Sequence, residues 1–231
     1  MKDAKPWGPV LSWLVTLVVP LLLLMSSIRL LMTPAFVDLE YSMPGFPADT
    51  YGMSFSERRL YAKSALEYIL NDEPLSFLGD QRFEDGSPLY NQRELGHMLD
   101  VKELTQIVLQ VWLLLLAFFV GVAVAAWHFG YWELVRSGLT RGAQLTMGLI
   151  ALVLVFVALS FNSLFTAFHR IFFEGDTWLF QFTDTLIRLF PLRFWQDIFI
   201  ALGVLSLLGG AVLWALTRRK TIRKDVRKKM K

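Results

Sequence analysis

The chain is 231 residues long, 55% hydrophobic and 19% charged, with a formal net charge of +3. Soluble domains run at roughly 45–50% apolar and about 25% charged, so this balance is that of a membrane protein, and collagen-like, disordered and disulfide-stapled classes are excluded. The absence of cysteine removes thiol nucleophiles, thiolate metal sites and redox switching together.

Four apolar blocks organise the chain, at residues 10–31, 107–127, 145–165 and 198–216, and their only charge is Arg29. Each is close to the ~20 residues that cross a bilayer as a helix. The predicted fold is therefore an all-α membrane protein with four transmembrane helices and a small, mainly helical extracytoplasmic domain between the first and second spans. Residues 1–31 hold a cytoplasmic start and the first span, whose apolar run exceeds the ~7–15 residues of a signal-peptide core. It should stay as an uncleaved anchor, bent near Pro20.

Residues 32–106 form the outer domain. Within it Phe55–Leu70 has helical spacing, with Ser56 as N-cap. Asn71-Asp72-Glu73-Pro74 stops that helix, and 75–89 reads as loop or short irregular strand around the Asp85-Gly86 turn. A helix begins near Asn91 and continues into the second span. So small a domain buries little core of its own, which predicts that it leans on the bilayer or on the helix ends. Residues 107–217 hold the second to fourth spans, interrupted by an outer segment at 166–197. Its Trp178, Leu179, Phe182, Leu186, Ile187 and Phe190 suit an interfacial helix at headgroup level, and Pro191 opens the fourth span. Ser160, Asn162 and Ser163 read as polar residues packed between helices.

The tail, 218–231, carries nine Lys or Arg and one acid, Asp225. Placing it with 1–9 and 128–144 in the cytoplasm collects 13 basic and 3 acidic residues there and leaves 10 basic and 17 acidic outside. The positive-inside rule thus puts both termini in the cytoplasm and the polar segments, with any active site they form, at the outer face. The tail holds topology and touches anionic lipid; with no aromatic-interleaved basic fold beside it, nucleic acid is not a partner.

Chemistry has few residues to draw on. Of the three histidines, His97 and His169 fall on the outer side, at the ends of oppositely directed spans, while His128 faces the cytoplasm. Two groups that titrate near neutrality can therefore meet in one pocket. On a helical 93–104, Glu94 and Asp100 sit three residues either side of His97 and share its face, where a carboxylate holds one ring nitrogen protonated. Near His169 the candidate carboxylates are Asp176 and Asp184, across an intervening turn. Arg93, Lys102, Trp178 and the backbone N–H groups of the 174–177 turn complete the set available to orient the rings or stabilise an oxyanion. Spacing alone leaves other readings open: helix caps and headgroup-level residues, a metal-dependent hydrolase using His97, Asp100, His169 and Asp176, or a non-catalytic tetraspan scaffold or sensor. A serine mechanism lacks a G-x-S-x-G elbow.

The order of the residues says more. RELGHMLDVKEL (93–104) before the second span, FHRIFFEGDTWLFQFTDTLIRLFPLRFW (168–195) between the third and fourth, and FEDGSPLYNQREL (83–95) upstream closely resemble the bacterial lipoprotein intramolecular transacylase family, Lit. The resemblance extends to the four-span layout and covers most of the chain; 1–9 and the basic tail have no matching signature. It implies an enzyme acting on diacylglyceryl-modified lipoproteins in the membrane, with catalytic histidines at His97 and His169 and with no metal or cofactor. The acyl chain at the glycerol sn-2 position moves to the α-amino group of the lipoprotein's own N-terminal cysteine, giving the lyso form.

The charge asymmetry is tested by Ser87→Cys and Ser137→Cys, probed singly in intact cells with an impermeant thiol reagent. Labelling is expected at 87 and not at 137; the reverse pattern would invert the topology.

Overall fold

In the computed structural model residues 8–218 are described; the extreme N-terminus and the basic tail from 219 onward lie outside the described residues. Eight helices follow one another: α1 (Gly8–Leu31), α2 (Pro34–Tyr41), α3 (Phe55–Leu70), α4 (Ser76–Gly79), α5 (Gln92–His128), α6 (Trp132–Phe172), α7 (Thr185–Leu189) and α8 (Leu192–Thr217). Among the described residues the only β pairing is an isolated bridge between Arg82 and Pro88. Helices α1, α5, α6 and α8 are long and apolar enough to cross a membrane.

Three of these, α1, α6 and α8, pack together. Small residues make this possible, because bilayer helices associate through close backbone approach rather than hydrophobic expulsion. A Cβ added at Gly138 would lie 2.6 Å from Ser12 O, and one at Gly142 would lie 2.6 Å from Val19 Cβ. Helix α5 stands more to one side, its apolar window uncovered by protein. It is tied to α1 by Trp112 Nε1, which donates to Ser26 Oγ at 3.1 Å. A tight turn joins it to α6, with Gly130 at φ +76 and Tyr131 N donating to Ala126 O at 2.7 Å.

Helix α1 continues through Pro20. The break occurs instead in α6, at Ser160, with φ −158 and ψ 68. Ser160 and Ser163 are exposed and hydrogen-bond each other at 2.8 Å. They accompany the kink rather than pack between helices, and Asn162 is exposed as well.

The segment between the first and second spans starts directly after α1. Thr33 caps α2 with Pro34 at the first helical position, a start signal on a helix the periodicity did not reveal. The cap of α3 is Ser54 rather than Ser56: its hydroxyl accepts from Glu57 N, and Glu57 reaches back to Ser54 N. That reciprocal box satisfies two donors, whereas Ser56 already lies inside the helix. Residues 75–89 hold the single turn α4 and the bridge around Gly86, at φ +81.

The segments that follow the first and third spans share one core. Val37, Tyr41, Tyr68, Leu78 and Leu89 from the first pack with Leu186, Leu189 and Phe194 from the second. The expected interfacial helix over 178–190 is met only at α7, where Leu186 turns into this core with Phe190 packed against it. Leu179 and Phe182 stay exposed, at 47% and 80%. Pro191 is the N-cap, one residue ahead of α8. Polar ties lock the segments: Arg188 pairs with buried Asp49 through two contacts of 3.0 Å, Arg58 donates to Pro47 O and Arg188 O, and Tyr41 donates to Leu189 O at 2.7 Å.

Gly138→Ala is expected to destabilise the bundle by about 1–3 kcal/mol through overpacking. Gly148→Ala, with nothing within 4 Å, should be neutral or stabilise by up to ~1 kcal/mol. Thermal unfolding in detergent checks this; equal melting temperatures for the two variants would contradict the close α1–α6 contact.

Candidate active site

His97 lies on the second turn of α5, so the cap of that helix sets its position. Asn91 Oδ1 accepts from Glu94 N at 3.0 Å, and Glu94 Oε2 accepts from Asn91 N at 2.8 Å. The other oxygen of Glu94 accepts from Leu186 N at 2.7 Å, which fastens the start of α5 to α7. Asp184 adds a second tie, accepting from Asn91 Nδ2 at 3.0 Å and from Gln181 N at 2.8 Å. His169 comes from the last turn of α6, beyond the Ser160 break. The helical ends thus deliver two imidazoles whose ring centres are 6.2 Å apart and inclined by 25°; they are only 8% and 7% exposed.

The His169 ring has a fixed orientation. Its Nδ1 lies 2.8 Å from Phe165 O, and since a carbonyl only accepts, Nδ1 carries the hydrogen and Nε2 the lone pair. His97 has no such anchor: among the described residues its buried Nδ1 has no partner.

Around the pair is an aromatic shell. Phe173 and Phe180 stand 4.9 and 5.4 Å from the His97 ring, and Phe165 and Trp178 stand 4.1 and 4.9 Å from that of His169. The 173–184 segment passes over both rings as a strap. It is held by Trp178 Nε1 donating to Gly175 O at 3.2 Å and by Arg93 Nη1 donating to Leu179 O at 3.2 Å. Gly175, at φ +62, makes the reversal that brings Trp178 back.

Burial in this shell penalises the charged form of both rings. It pushes His97 down to about 4, with His169 adding to the effect, and it lowers His169 too, against the opposing pull of the Phe165 carbonyl. Both imidazoles are thus neutral at pH 7.

The other sequence candidates take different places. Glu94 shares the His97 side of α5 but spends both oxygens on backbone N–H groups; burial raises its pKa, while the Asn91 and Leu186 amides oppose the rise. Asp100 is exposed, because the inward face of α5 here is Glu94, Leu95, His97, Met98 and Lys102. Lys102 donates to Glu73 O at 2.6 Å and lies over the Tyr68 ring, so it closes the end of α3 rather than facing the histidines. Asp176 is exposed in the turn, with its carbonyl accepting from Leu179 N. Asp184 is a strap anchor and Trp178 covers His169. The set His97, Asp100, His169 and Asp176 is not gathered, and no group of three or more metal-ligating side chains forms among the described residues. The sequence reading missed Phe165, Phe173 and Phe180; the aromatic density of 161–195 was a signal, but which rings meet the histidines is a tertiary matter.

Comparison with known proteins is consistent with this geometry. The family model for the lipoprotein intramolecular transacylase Lit matches residues 13–195. The chain belongs to the Lit family. A protein of Aquifex aeolicus (strain VF5), described only as uncharacterized, is 29% identical over 204 residues, covering 88% of this chain and 91% of that protein. The structure of the membrane integral Lit from Bacillus cereus superposes with a TM-score of 0.64 at 17% identity, covering 96% of this chain and 97% of that one. A variant of the same protein with one histidine replaced by alanine gives 0.65 at 19%, covering 96% and 95%. At these identities the structures show a shared four-span, all-helical membrane fold.

Because His97 binds protons more weakly folded than unfolded, the unfolded chain takes up more protons in acid and stability falls as pH drops. The loss should begin near the ordinary value of 6.5 and, for His97, level off near 4. His97→Phe, which suits the aromatic shell, is expected to flatten the dependence of melting temperature on pH between 6.5 and 4. Parallel curves for variant and wild type would contradict a buried neutral His97.

Proposed function

We propose that the chain moves the sn-2 acyl chain of a diacylglyceryl-cysteine lipoprotein to the α-amino group of that same cysteine, at the outer face of a bacterial membrane with both termini cytoplasmic. The observation that carries this reading is the pair of buried imidazoles 6.2 Å apart, brought together from the ends of α5 and α6, with His169 Nδ1 against Phe165 O and Nε2 left to accept.

In an intramolecular transfer the substrate supplies the nucleophile, so the protein needs no activated Ser or Cys. A free α-amino group has a pKa of about 7.7–8.0 and is partly neutral near pH 7. As it attacks the ester carbonyl, His169 Nε2 takes its proton. His97, neutral and unanchored, turns an N–H toward the oxygen of the tetrahedral intermediate, a role suited to an imidazole with depressed pKa. The attack forms the C–N bond; collapse of the intermediate restores the carbonyl and breaks the ester C–O bond, and the proton held by His169 passes to the departing glycerol oxygen. No atom is lost or gained. Holding amine and ester together contributes on the order of 7–11 kcal/mol, and the strap keeps water from competing for the acyl group. The lipid-facing length of α5 lets a membrane-anchored substrate arrive sideways without leaving the bilayer.

The test is mass spectrometry of lipoprotein N-termini from a host whose lipoproteins carry a free α-amino diacylglyceryl-cysteine. Expressing the chain should leave total mass unchanged while one acyl group becomes amide-linked and the glycerol gains a hydroxyl. His169→Ala should abolish the product, His97→Ala should slow it by about 10²–10³-fold, and His128→Ala should leave it intact. Release of the chain as free fatty acid would make the protein a hydrolase, and unchanged N-termini would favour a non-catalytic role.

A further inference from the structure

The histidine pair is shut in. Both rings are buried, and the covering rings of Phe173, Phe180 and Trp178 stand 4.9, 5.4 and 4.9 Å from the imidazoles they face. That is the spacing of aromatic rings in contact, and it leaves no space for another molecule between them. An amine and an ester carbon react from about 3–3.5 Å, within hydrogen-bond reach of the base. A substrate therefore reaches His97 and His169 only if part of the shell moves.

The strap is the part built to move. Phe165 belongs to α6, but Phe173, Trp178 and Phe180 all follow its end. Within 174–180 the hydrogen bonds among the described residues close on the strap itself: Leu179 N donates to Asp176 O at 3.1 Å, Trp178 Nε1 to Gly175 O at 3.2 Å and Thr177 Oγ1 to Glu174 O at 3.5 Å. One bond alone ties this stretch to the rest of the described chain, from Arg93 Nη1 to Leu179 O at 3.2 Å, and Arg93 and Leu179 are both exposed. The ends are fixed instead. Phe173 N donates to His169 O at 2.8 Å, and Asp184 accepts from Asn91 Nδ2 at 3.0 Å. The middle can thus swing out as a unit, losing one exposed hydrogen bond and its ring contacts. Leu179, Phe182, Ile171 and Phe172 are exposed apolar groups of the strap and of the helix end it springs from, so the entrance uncovered is bordered by surface suited to acyl chains.

We propose that residues 173–184 are a lid latched by Arg93, which swings out on its two fixed ends to admit the diacylglyceryl group and closes again over it. The identity of what enters rests on the acyl-transfer reading; the opening itself does not. Arg93 is in this account a positioning residue: it holds Leu179 O and touches neither imidazole. Loops that gate a site are drawn from the least stable parts of a fold, and a turn that is bonded mainly to itself meets that requirement.

The chain has no native cysteine, so Arg93→Cys combined with Leu179→Cys supplies two unique thiols. The full-length double variant in lipid vesicles is bridged with a short bis-methanethiosulfonate linker, treated with diethyl pyrocarbonate at pH 7, and compared with the same sample reduced and desalted beforehand. Peptide mass spectrometry reads modification at each histidine, with exposed His128 as internal reference. His97 and His169 are expected to react at least about tenfold more slowly when bridged, His128 at the same rate in both, and acyl transfer to appear only after reduction. Arg93→Ala, which needs no linker and decides if the double variant does not fold, should raise the reactivity of both buried histidines about fivefold over wild type. Equal rates at His97 and His169 in bridged and reduced protein, or an Arg93→Ala variant as protected as wild type, would overturn the lid. Faster modification on reduction, with no rearranged N-termini from the unaltered chain, would uphold the lid and remove the transacylase reading.

Discussion

Two imidazoles 6.2 Å apart inside an aromatic shell cannot both carry a positive charge, and the half of the molecule around them is arranged around that constraint. Burial favours the neutral form of both rings, and His169 adds to that effect at His97, which makes one of them a base at physiological pH without any carboxylate to charge it. The strap of 173–184 imposes the burial, so what holds the strap also controls the chemistry. Glu94 and Asp184 hold it at the cap of α5, Arg93 holds Leu179, and the Asp49–Arg188 pair holds α7 from below the core. Each of these charged side chains acts on position; none touches the rings.

This division explains how a domain without cysteine stays rigid beside a bilayer. Its shared core is modest, but charge-assisted hydrogen bonds to backbone groups are about twice as strong as neutral ones. Arg58, buried and bonded to two carbonyls, and Lys102, bonded to Glu73 O above the Tyr68 ring, replace covalent staples. Removing one such partner would leave the other buried and unpaired, the costly direction of the asymmetry.

Much of this was legible in the sequence. The four apolar blocks, the helix 55–70, the continuation from Asn91 into the second span and the placing of His97 and His169 beyond the ends of two spans follow from local pattern, which the chain obeys. Two local signals were present and misweighed: Ser54-Phe55-Ser56-Glu57 contains the spacing of a capping box only when counted from Ser54, and Thr33-Pro34 announces α2. The remainder lies in tertiary pairing. Helical spacing correctly put Glu94 near the His97 side, but it cannot show that the cap and Leu186 N claim both oxygens, nor that α5 turns Asp100 to solvent. Arg58 meets Arg188 O across 130 residues, and no periodicity reports that. The kink at Ser160, where two serines bond each other, likewise depends on packing rather than on a proline.

The most direct test of this account reads the ring protons themselves. In a His128→Gln background, ¹⁵N-histidine NMR of the membrane-embedded chain at pH 7 resolves the four ring nitrogens of His97 and His169. The expected result is two neutral rings, with His169 protonated at Nδ1 and bare at Nε2. A cationic ring at either position, or a His169 protonated at Nε2, would contradict the neutral pair from which the chemistry is derived.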